Sequence, residues 1–442
     1  MTRKFSPYSL VILSFIVLIF VGTILLTMPF SYTENNEVDF FDALFTATSA
    51  VTVTGLVVND VSSVFTIYGK IILMILIQMG GLGLLTFSSA IILLISKKIG
   101  FHTKKIVAEG LNHVAKFDIY SHIKKVVFVV FVIEAVGALF LFGQFITEYD
   151  FFTAGFYAVF HSVSAFCNAG FGLLPNNLEN YVFNPFVNFV IAFLIIFGGL
   201  GFAAIIEIYE FIRGKRRKIS INTKFSSLIT IILLILGTLL FFVLEYSNEA
   251  TLANKNIFEK LLISFFHSTS LRTAGFNTIP LAGIGGATVL FCAIFMFIGA
   301  SPGSTGSGVK TTTIGILFLG IKAALLNREY IEFSKRRISW RALNKASALT
   351  IIAMFYILTM IIIMAELEPD KDILKVAFEL MSAFGTVGLS MGVTPHLTIA
   401  SKVIIIFTMF LGRVGPLTIV LALSRDSRKG KYKYPKENIL IG

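Results

Sequence analysis

Ser49-Ala-Val-Thr-Val-Thr-Gly55 is the first of four related phrases in this chain, each ending in glycine. The others are Ser164-Ala-Phe-Cys-Asn-Ala-Gly170, Thr269-Ser-Leu-Arg-Thr-Ala-Gly275 and Ser382-Ala-Phe-Gly-Thr-Val-Gly388. Successive glycines lie 115, 105 and 113 residues apart, close to a quarter of the 442-residue chain. Such repetition implies quasi-equivalent units, and four units can arrange four small loops around one axis. A ring of backbone carbonyls on that axis can replace the hydration shell of a cation and select it. The phrases predict a cation pathway.

Outward from each phrase the order of elements is the same. A long apolar helix comes first, then an acidic stretch, a short apolar helix, the phrase, and a second long helix. The first helices are predicted over about 8–30, 124–147, 223–245 and 343–366. The second are predicted over about 66–96, 181–212, 284–325 (interrupted) and 399–424. Between them, Asp39–Ala50, Asp150–Ala165, Asn256–Ser270 and Asp370–Ala383 are too short to cross about 30 Å of hydrocarbon. Each opens on Asp or Asn, which suits a helix N-cap. A short helix that dips in and returns needs protein or water around it at membrane depth. Four such helices aim their negative C-terminal ends inward and favour a cation there. The predicted fold is an all-α integral membrane protein of eight transmembrane helices, in four helix–pore-loop–helix repeats with pseudo-four-fold symmetry around one pore. Repeat 1 takes residues 1–96, and a basic linker with repeat 2 takes 97–212. Repeat 3, with the broken second helix, takes 213–327, repeat 4 takes 328–424, and a basic tail takes 425–442.

Composition fits that reading. The chain is 56% hydrophobic and 14% charged, with mean hydropathy +0.85, which excludes an ordinary soluble domain. The N-terminal apolar stretch lacks a small-residue cleavage pattern and reads as a retained helix. Cys167 and Cys292 offer neither a disulfide framework nor a metal-ligand spacing. The net charge of +12 is not a nucleic-acid signature, because the basic residues cluster at 97–105, 124–125, 213–218, 328–341 and 425–436. Acidic residues gather in the alternate segments 34–42, 148–150, 245–259 and 366–372. That alternation predicts a multi-pass protein of the cell membrane with both termini cytosolic and the phrases opening outward. The acidic outer face also raises the local cation concentration modestly.

A second repeat sits at the middle of the second helices: Gly80-Gly-Leu-Gly83, Gly198-Gly-Leu-Gly201, Gly299-Ala-Ser-Pro-Gly303 and Gly412-Arg-Val-Gly415. It follows the phrase glycines by 25, 28, 24 and 24 residues. In the third unit the stretch from Gly299 to Gly308 holds so many helix breakers that it must unwind. It reads either as a movable constriction or as a passive kink. Gly303–Thr311 nearly matches a phosphate-binding loop, but Val309 separates Gly308 from Lys310 and no strand precedes it. Lys310 and Arg413 are charges in apolar surroundings and should face a cavity or the bundle interior. Snorkelling of Lys310 to the cytosolic face is equally open. Arg272 would oppose conduction on the axis, so it is expected to turn behind its loop and pair with a carboxylate, while Cys167 and Asn168 brace theirs. Glu134 and Glu207 suit helix-end or interhelical bonds better than a proton relay. His161 and His267 hold matching places, as packing residues would. No nucleophile–base pair or paired carboxylates can be assembled, so an enzyme is not expected.

At these residues the chain resembles the Trk/Ktr/HKT superfamily of potassium transporters, and specifically its Ktr-type membrane subunits. The match spans nearly the whole chain. The resemblance implies that Gly55, Gly170, Gly275 and Gly388 are selectivity-filter glycines. Further carbonyls would come from Thr52, Val53 and Thr54, from Cys167, Asn168 and Ala169, from Arg272, Thr273 and Ala274, and from Gly385, Thr386 and Val387. Some sodium-favouring relatives have serine at the first position, so Gly55 tilts the expectation to potassium. By the same resemblance Gly299, Ala300, Ser301, Pro302, Gly303, Ser304, Thr305, Gly306, Ser307 and Gly308 form a gate below the filter. Arg413 would help to hold it closed, with packing alone as the other reading, and Lys310 lies at its edge. K⁺ is the implied substrate, no covalently bound cofactor is implied, and Na⁺ is left open as an activator. The implied partners are a second copy of the chain, a cytosolic nucleotide-binding regulatory subunit of the RCK type, and membrane lipid at the basic segments. A less selective or ion-coupled K/Na symporter, working by alternating access and driven by Na⁺ or H⁺, is the competing mechanism; it would call for inverted repeats and a midplane site.

Overall fold

The structure, a computed structural model, describes residues 7–33, 38–95 and 119–415. The basic linker around 97–105 and the basic tail from 425 lie outside those residues.

The first long helices are α1 (Pro7–Leu26), α5 (Ile119–Phe145), α9 (Ile221–Glu245) and α13 (Trp340–Leu367). The short ones are α2 (Phe40–Thr52), α6 (Phe151–Cys167), α10 (Ile257–Ser270) and α14 (Ile373–Gly385). At 13 to 17 residues they reach about 20–26 Å, less than a hydrocarbon core. Their starts follow from capping. Asp39 Oδ2 accepts from Phe41 N, Asp150 Oδ2 from Thr153 N, and Asn256 closes a reciprocal box with Glu259. In the fourth unit the cap is Asp372, which accepts from Leu374 N at 2.9 Å, and not Asp370. The helix starts two residues late because Asp370 lies in the turn that follows α13, where Glu368 closes the helix end.

The second helices depart from the expectation in one place. α4 (Ile67–Ile95) is continuous, and α15 (Ile399–Val414) runs to Gly415. The third unit is split into α11 (Gly286–Phe297) and α12 (Thr311–Leu325), as its breakers require. The second unit is split as well. α7 (Pro185–Leu200) and α8 (Phe202–Ile212) meet at 103° around Gly201, whose φ of +95° suits glycine. Besides four single 3-10 turns, the remaining elements among the described residues are the short α3 (Val61–Val64) and a hairpin, β1 (Ile331–Phe333) with β2 (Arg336–Ile338). The hairpin occupies part of the basic 328–341 segment, where the sequence predicts no strand; Phe333 seats on Phe225 with ring centroids 4.6 Å apart.

Three described helices, Lys124–Phe145, Ile221–Glu245 and Trp340–Leu367, are each long and apolar enough to cross a membrane, and the bent α7–α8 pair is a fourth if its two halves form one span. Each first helix packs on the short helix of its own unit. Each second helix packs on the short helix of the next: α4 on α6, α7 on α10, α11 on α14, and α15 on α2. The fourth contact returns to the first unit and closes the ring. Lys402 on α15 and Asp42 on α2 reinforce it at 3.0 Å.

Acidic residues at the ends of the first helices act as clamps. Glu148 Oε2 accepts from Tyr181 Oη at 2.5 Å, and Glu368 Oε1 accepts from Thr398 N at 2.7 Å. Glu245, fully buried, accepts from Asn248, Thr251, Gly285 N and Thr288. Each ties the end of a first helix to the start of the second in its unit. Such a carboxylate can stay buried because its lone pairs are satisfied.

Candidate functional site: four glycine loops and the segment beneath them

The four phrases share one backbone plan. Two residues before each glycine, Val53, Asn168, Thr273 and Thr386 are left-handed, with φ of 57°, 60°, 70° and 47°. The glycines Gly55, Gly170, Gly275 and Gly388 then take φ of 92°, 68°, 78° and 90°. A left-handed β-branched residue is strained and persists only where its surroundings fix it. The fixing groups are the serines near the start of each phrase. Ser49 Oγ accepts from Gly55 N, and Ser382 Oγ from Gly388 N, both at 3.0 Å. Ser164 Oγ donates to Phe171 O at 2.8 Å, and Ser270 Oγ donates to Phe276 O at 2.5 Å.

The four glycines meet. A Cβ placed on Gly55 would strike Ala169 O, on Gly170 it would strike Ala274 O, on Gly275 Val387 O, and on Gly388 Thr54 O. Each carbonyl before a glycine thus lies against the glycine of the preceding unit, in the order 1, 2, 3, 4 and back to 1. No side chain fits into this closure, which gives the glycines a steric reason as well as a conformational one.

The helix glycines explain the constant spacing of the second repeat. A Cβ on Gly80 would run into Val51 O, on Gly198 into Phe166 O, and on Gly412 into Phe384 O. Those carbonyls belong to the residues four before Gly55, Gly170 and Gly388, so each second helix presses backbone to backbone on the end of its own short helix. Gly299 differs, lying against Ser307 O inside the unwound segment. Gly412→Ala is expected to destabilise the protein by about 1–3 kcal/mol through overpacking. Gly286→Ala, with open space around it, is expected to be neutral; thermal unfolding in detergent compares the two.

The segment from Gly299 to Gly308 packs against the second and third phrases. A Cβ on Gly306 would collide with Thr273 Oγ1, and Thr305 Oγ1 donates to Phe166 O at 3.2 Å. The segment rests on the elbow of the second unit. Ser301 N donates to Gly199 O at 3.0 Å, Thr305 N to Gly198 O at 3.2 Å, and Phe202 N to Gly303 O at 2.9 Å. Its two ends adjoin, with Gly299 N donating to Val309 O at 2.9 Å and Val309 N to Phe297 O at 3.1 Å. Pro302 and Ser304 complete the turn, with Ser304 Oγ donating to Ser301 O at 2.6 Å.

Arg413 reaches this segment from α15. Its Nη1 donates to Thr305 O and, at 3.3 Å, to Ser307 Oγ, while Nη2 donates to Gly80 O and, at 3.4 Å, to Gly81 O. One guanidinium fork therefore joins the unwound segment of the third unit to the glycine turn of the first. Lys310 folds back on the same segment, its Nζ donating to Gly306 O at 2.7 Å.

Arg272 turns away behind its loop, but its partner is the Thr230 hydroxyl, Nη2 to Oγ1 at 3.4 Å. No carboxylate among the described residues pairs with it, so that expectation is corrected: α9 presents a threonine where the acid was anticipated. Asn168 lies 3.2 Å from Thr273 Oγ1 and so links two phrases. Cys167 Sγ lies 3.5 Å from Gln78 Oε1, and Gln78 Nε2 donates to Glu134 Oε2 at 3.1 Å. Glu134 thus makes an interhelical bond, and Glu207 does the same through Thr223 at 2.7 Å. His161 is held by Tyr157 O and Leu173 N; His267 is buried against Phe241. Among the described residues no group of three or more His, Cys, Asp or Glu could hold a metal ion. The residue group that the sequence reading misses is the Gly198–Phe202 elbow, although its glycines belong to the second repeat.

Comparison with known proteins extends these observations. The family model described as TrkH, cation transport protein, matches residues 3–433. The chain is 38% identical to Ktr system potassium uptake protein B of Bacillus subtilis, over 99% of this chain and 97% of that one. It is 36% identical to the Vibrio alginolyticus protein of the same name, over 98% and 94%. It is also 36% identical to the potassium/sodium uptake protein NtpJ of Enterococcus hirae, over 100% and 98%. The crystal structure of the potassium transporter TrkH from Vibrio parahaemolyticus superimposes with a TM-score of 0.74 at 18% identity, covering 96% of this chain and 86% of that one, and so shares its fold. The chain is a multi-pass membrane protein and belongs to the TrkH family of cation transport proteins.

Proposed function

We propose that this chain is the pore-forming membrane subunit of a Ktr-type potassium uptake system. The observation that carries the proposal is the closed ring of carbonyls from Thr54, Ala169, Ala274 and Val387, each against the preceding phrase's glycine. Such a ring presents oxygen dipoles to a dehydrated cation and excludes side chains. The names of the relatives from Bacillus subtilis and Vibrio alginolyticus support potassium as the ion. In this reading eight helices cross the membrane as four pseudo-symmetric repeats, both termini are cytosolic, and α2, α6, α10 and α14 are re-entrant. The four phrases are the filter, Gly299–Gly308 is the gate, and Arg413 and Lys310 hold it across the path. The chain works as a homodimer under a cytosolic RCK-type regulatory subunit; the word "system" in the relatives' names supports a partner subunit as such. It has no enzymatic activity and no bound cofactor.

The name of the Enterococcus hirae relative favours a second reading, in which Na⁺ also passes or activates. Both readings are tested in bacterial cells lacking their own potassium uptake, expressing this chain with its regulatory subunit. Growth restored at low potassium, with Rb⁺ entry that Na⁺ does not replace, is the expected result, and stimulation of that entry by Na⁺ would favour the second reading. No restoration, or entry of Na⁺ without Rb⁺, would overturn potassium uptake.

A further inference from the structure

The elbow at Gly201 opens a groove that the proposed path does not use. It lies between α5 and the α7–α8 bend, has a volume of about 430 Å³, and is walled by Phe128, Val132, Ile133, Leu200, Ile206 and Tyr209. Lys125, Glu210 and Lys215 stand at one end of it. The apolar span of α5 starts at Lys124, so Phe128 to Ile133 lie about one to two and a half turns deeper than the lysines. The groove is therefore apolar at hydrocarbon depth and cationic at headgroup depth.

The protein neutralises these cations only in part. Lys125 meets Glu210 only at 3.6 Å, with both side chains partly exposed. Arg213 lies over the Tyr209 ring at 4.8 Å, and Arg216 is taken by Glu207 at 3.1 Å. Lys215 is exposed and makes no ion pair among the described residues. Lys125 and Lys215 against Glu210 leave one net positive charge on the lining of the groove, and Arg213 adds another where it lies over Tyr209. Basic pockets between membrane helices on the cytosolic side take lipid headgroups.

We propose that this groove is a binding site for one anionic phospholipid, its acyl chain against Phe128, Val132 and Ile206 and its phosphate between Lys125 and Lys215. A second copy of the chain or an apolar partner helix would fill the groove but leave the lysines unmatched. The position gives the lipid a lever. Leu200 and Ile206 flank Gly201 and Phe202, and Phe202 N holds Gly303 O of the unwound segment at 2.9 Å. A chain seated in the groove supports the elbow on which that segment rests. This consequence rests on reading the segment as a gate; the binding does not.

The full-length protein is extracted from phosphatidylcholine vesicles containing a minor fraction of phosphatidylglycerol, and retained lipid is read by native mass spectrometry. The expected result is selective retention of phosphatidylglycerol, reduced about 10–30-fold in K125Q/K215Q, from about 1 kcal/mol per surface cation. V132W keeps the charges but fills the groove, and is expected to lose the lipid too. Retention unchanged in either variant would overturn the site. So would loss accompanied by dissociation of an oligomer, which would assign the groove to a second copy. Flux measured in the same vesicles separates the two claims. If K125Q/K215Q loses the lipid yet keeps the wild-type response of flux to phosphatidylglycerol, the lipid site stands and the support of the gate falls.

Discussion

Deleting Ala300–Gly308 is expected to raise potassium flux through this protein by at least about tenfold while leaving it folded. The ends of the deleted stretch already touch, since Gly299 N donates to Val309 O and Ile298 pairs with Val309. Joining Gly299 to Val309 therefore asks little of α11 or α12. The deletion removes Thr305 O and Ser307 Oγ, the two groups through which Arg413 grips the segment. Hydrogen bonds to charged groups contribute about 1.5–3 kcal/mol each, so losing even one shifts a closed–open equilibrium about tenfold or more. Arg413→Gln should reproduce part of the rise, because it keeps some hydrogen bonding without the charge. Ion flux from proteoliposomes measures both variants. Equal or lower flux in the deletion would make the segment a kink and not a gate.

The second large effect is expected at Gly55. Replacing it with serine should lower discrimination of K⁺ over Na⁺ by about 5–30-fold. The φ of +92° at this position penalises any Cβ by about 1–2 kcal/mol. The new Cβ would also strike Ala169 O, and the ring relieves the clash by moving that carbonyl. A displaced oxygen can no longer match the hydration shell that the ring replaces. Gly392 provides the control, because its φ is +81° but nothing lies within 4 Å of a Cβ there. Gly392→Ser should carry a similar backbone cost and leave discrimination unchanged. Reversal potentials under K⁺ and Na⁺ gradients compare the two; equal discrimination in Gly55→Ser and the parent would remove these glycines from the selective step.

Much of the fold was legible because membrane sequences are constrained on a coarse scale. The lengths of α1, α5, α9 and α13 follow from apolar runs, and the starts of α2, α6 and α10 follow from Asp39, Asp150 and Asn256 as caps. The phrase glycines could be found because the repeat is four-fold. The elbow at Gly201 could not. Gly80-Gly-Leu-Gly83 and Gly198-Gly-Leu-Gly201 are the same tetrapeptide, yet the first stays within α4 and the second turns the chain by 103°. Local propensity is equal in the two, so tertiary contacts decide. At the second site Ser301 N and Thr305 N take the carbonyls of Gly199 and Gly198, and Gly303 O takes the N–H of Phe202. Those partners are about a hundred residues away in sequence, and no local pattern announces them. Arg272 fails for a related reason. Burial of a cation suggests a carboxylate, but the group that meets it is the hydroxyl of Thr230, on a helix that sequence spacing does not align with it.

Ion flux through the purified chain alone, freed of its gate by deleting Ala300–Gly308, tests the central claim most directly. Proteoliposomes carry first a K⁺ gradient and then a matched Na⁺ gradient, with nothing else changed. Faster K⁺ than Na⁺ flux is the expected result and would place selection in the ring of Gly55, Gly170, Gly275 and Gly388. Equal flux for the two ions, or faster Na⁺, would contradict it.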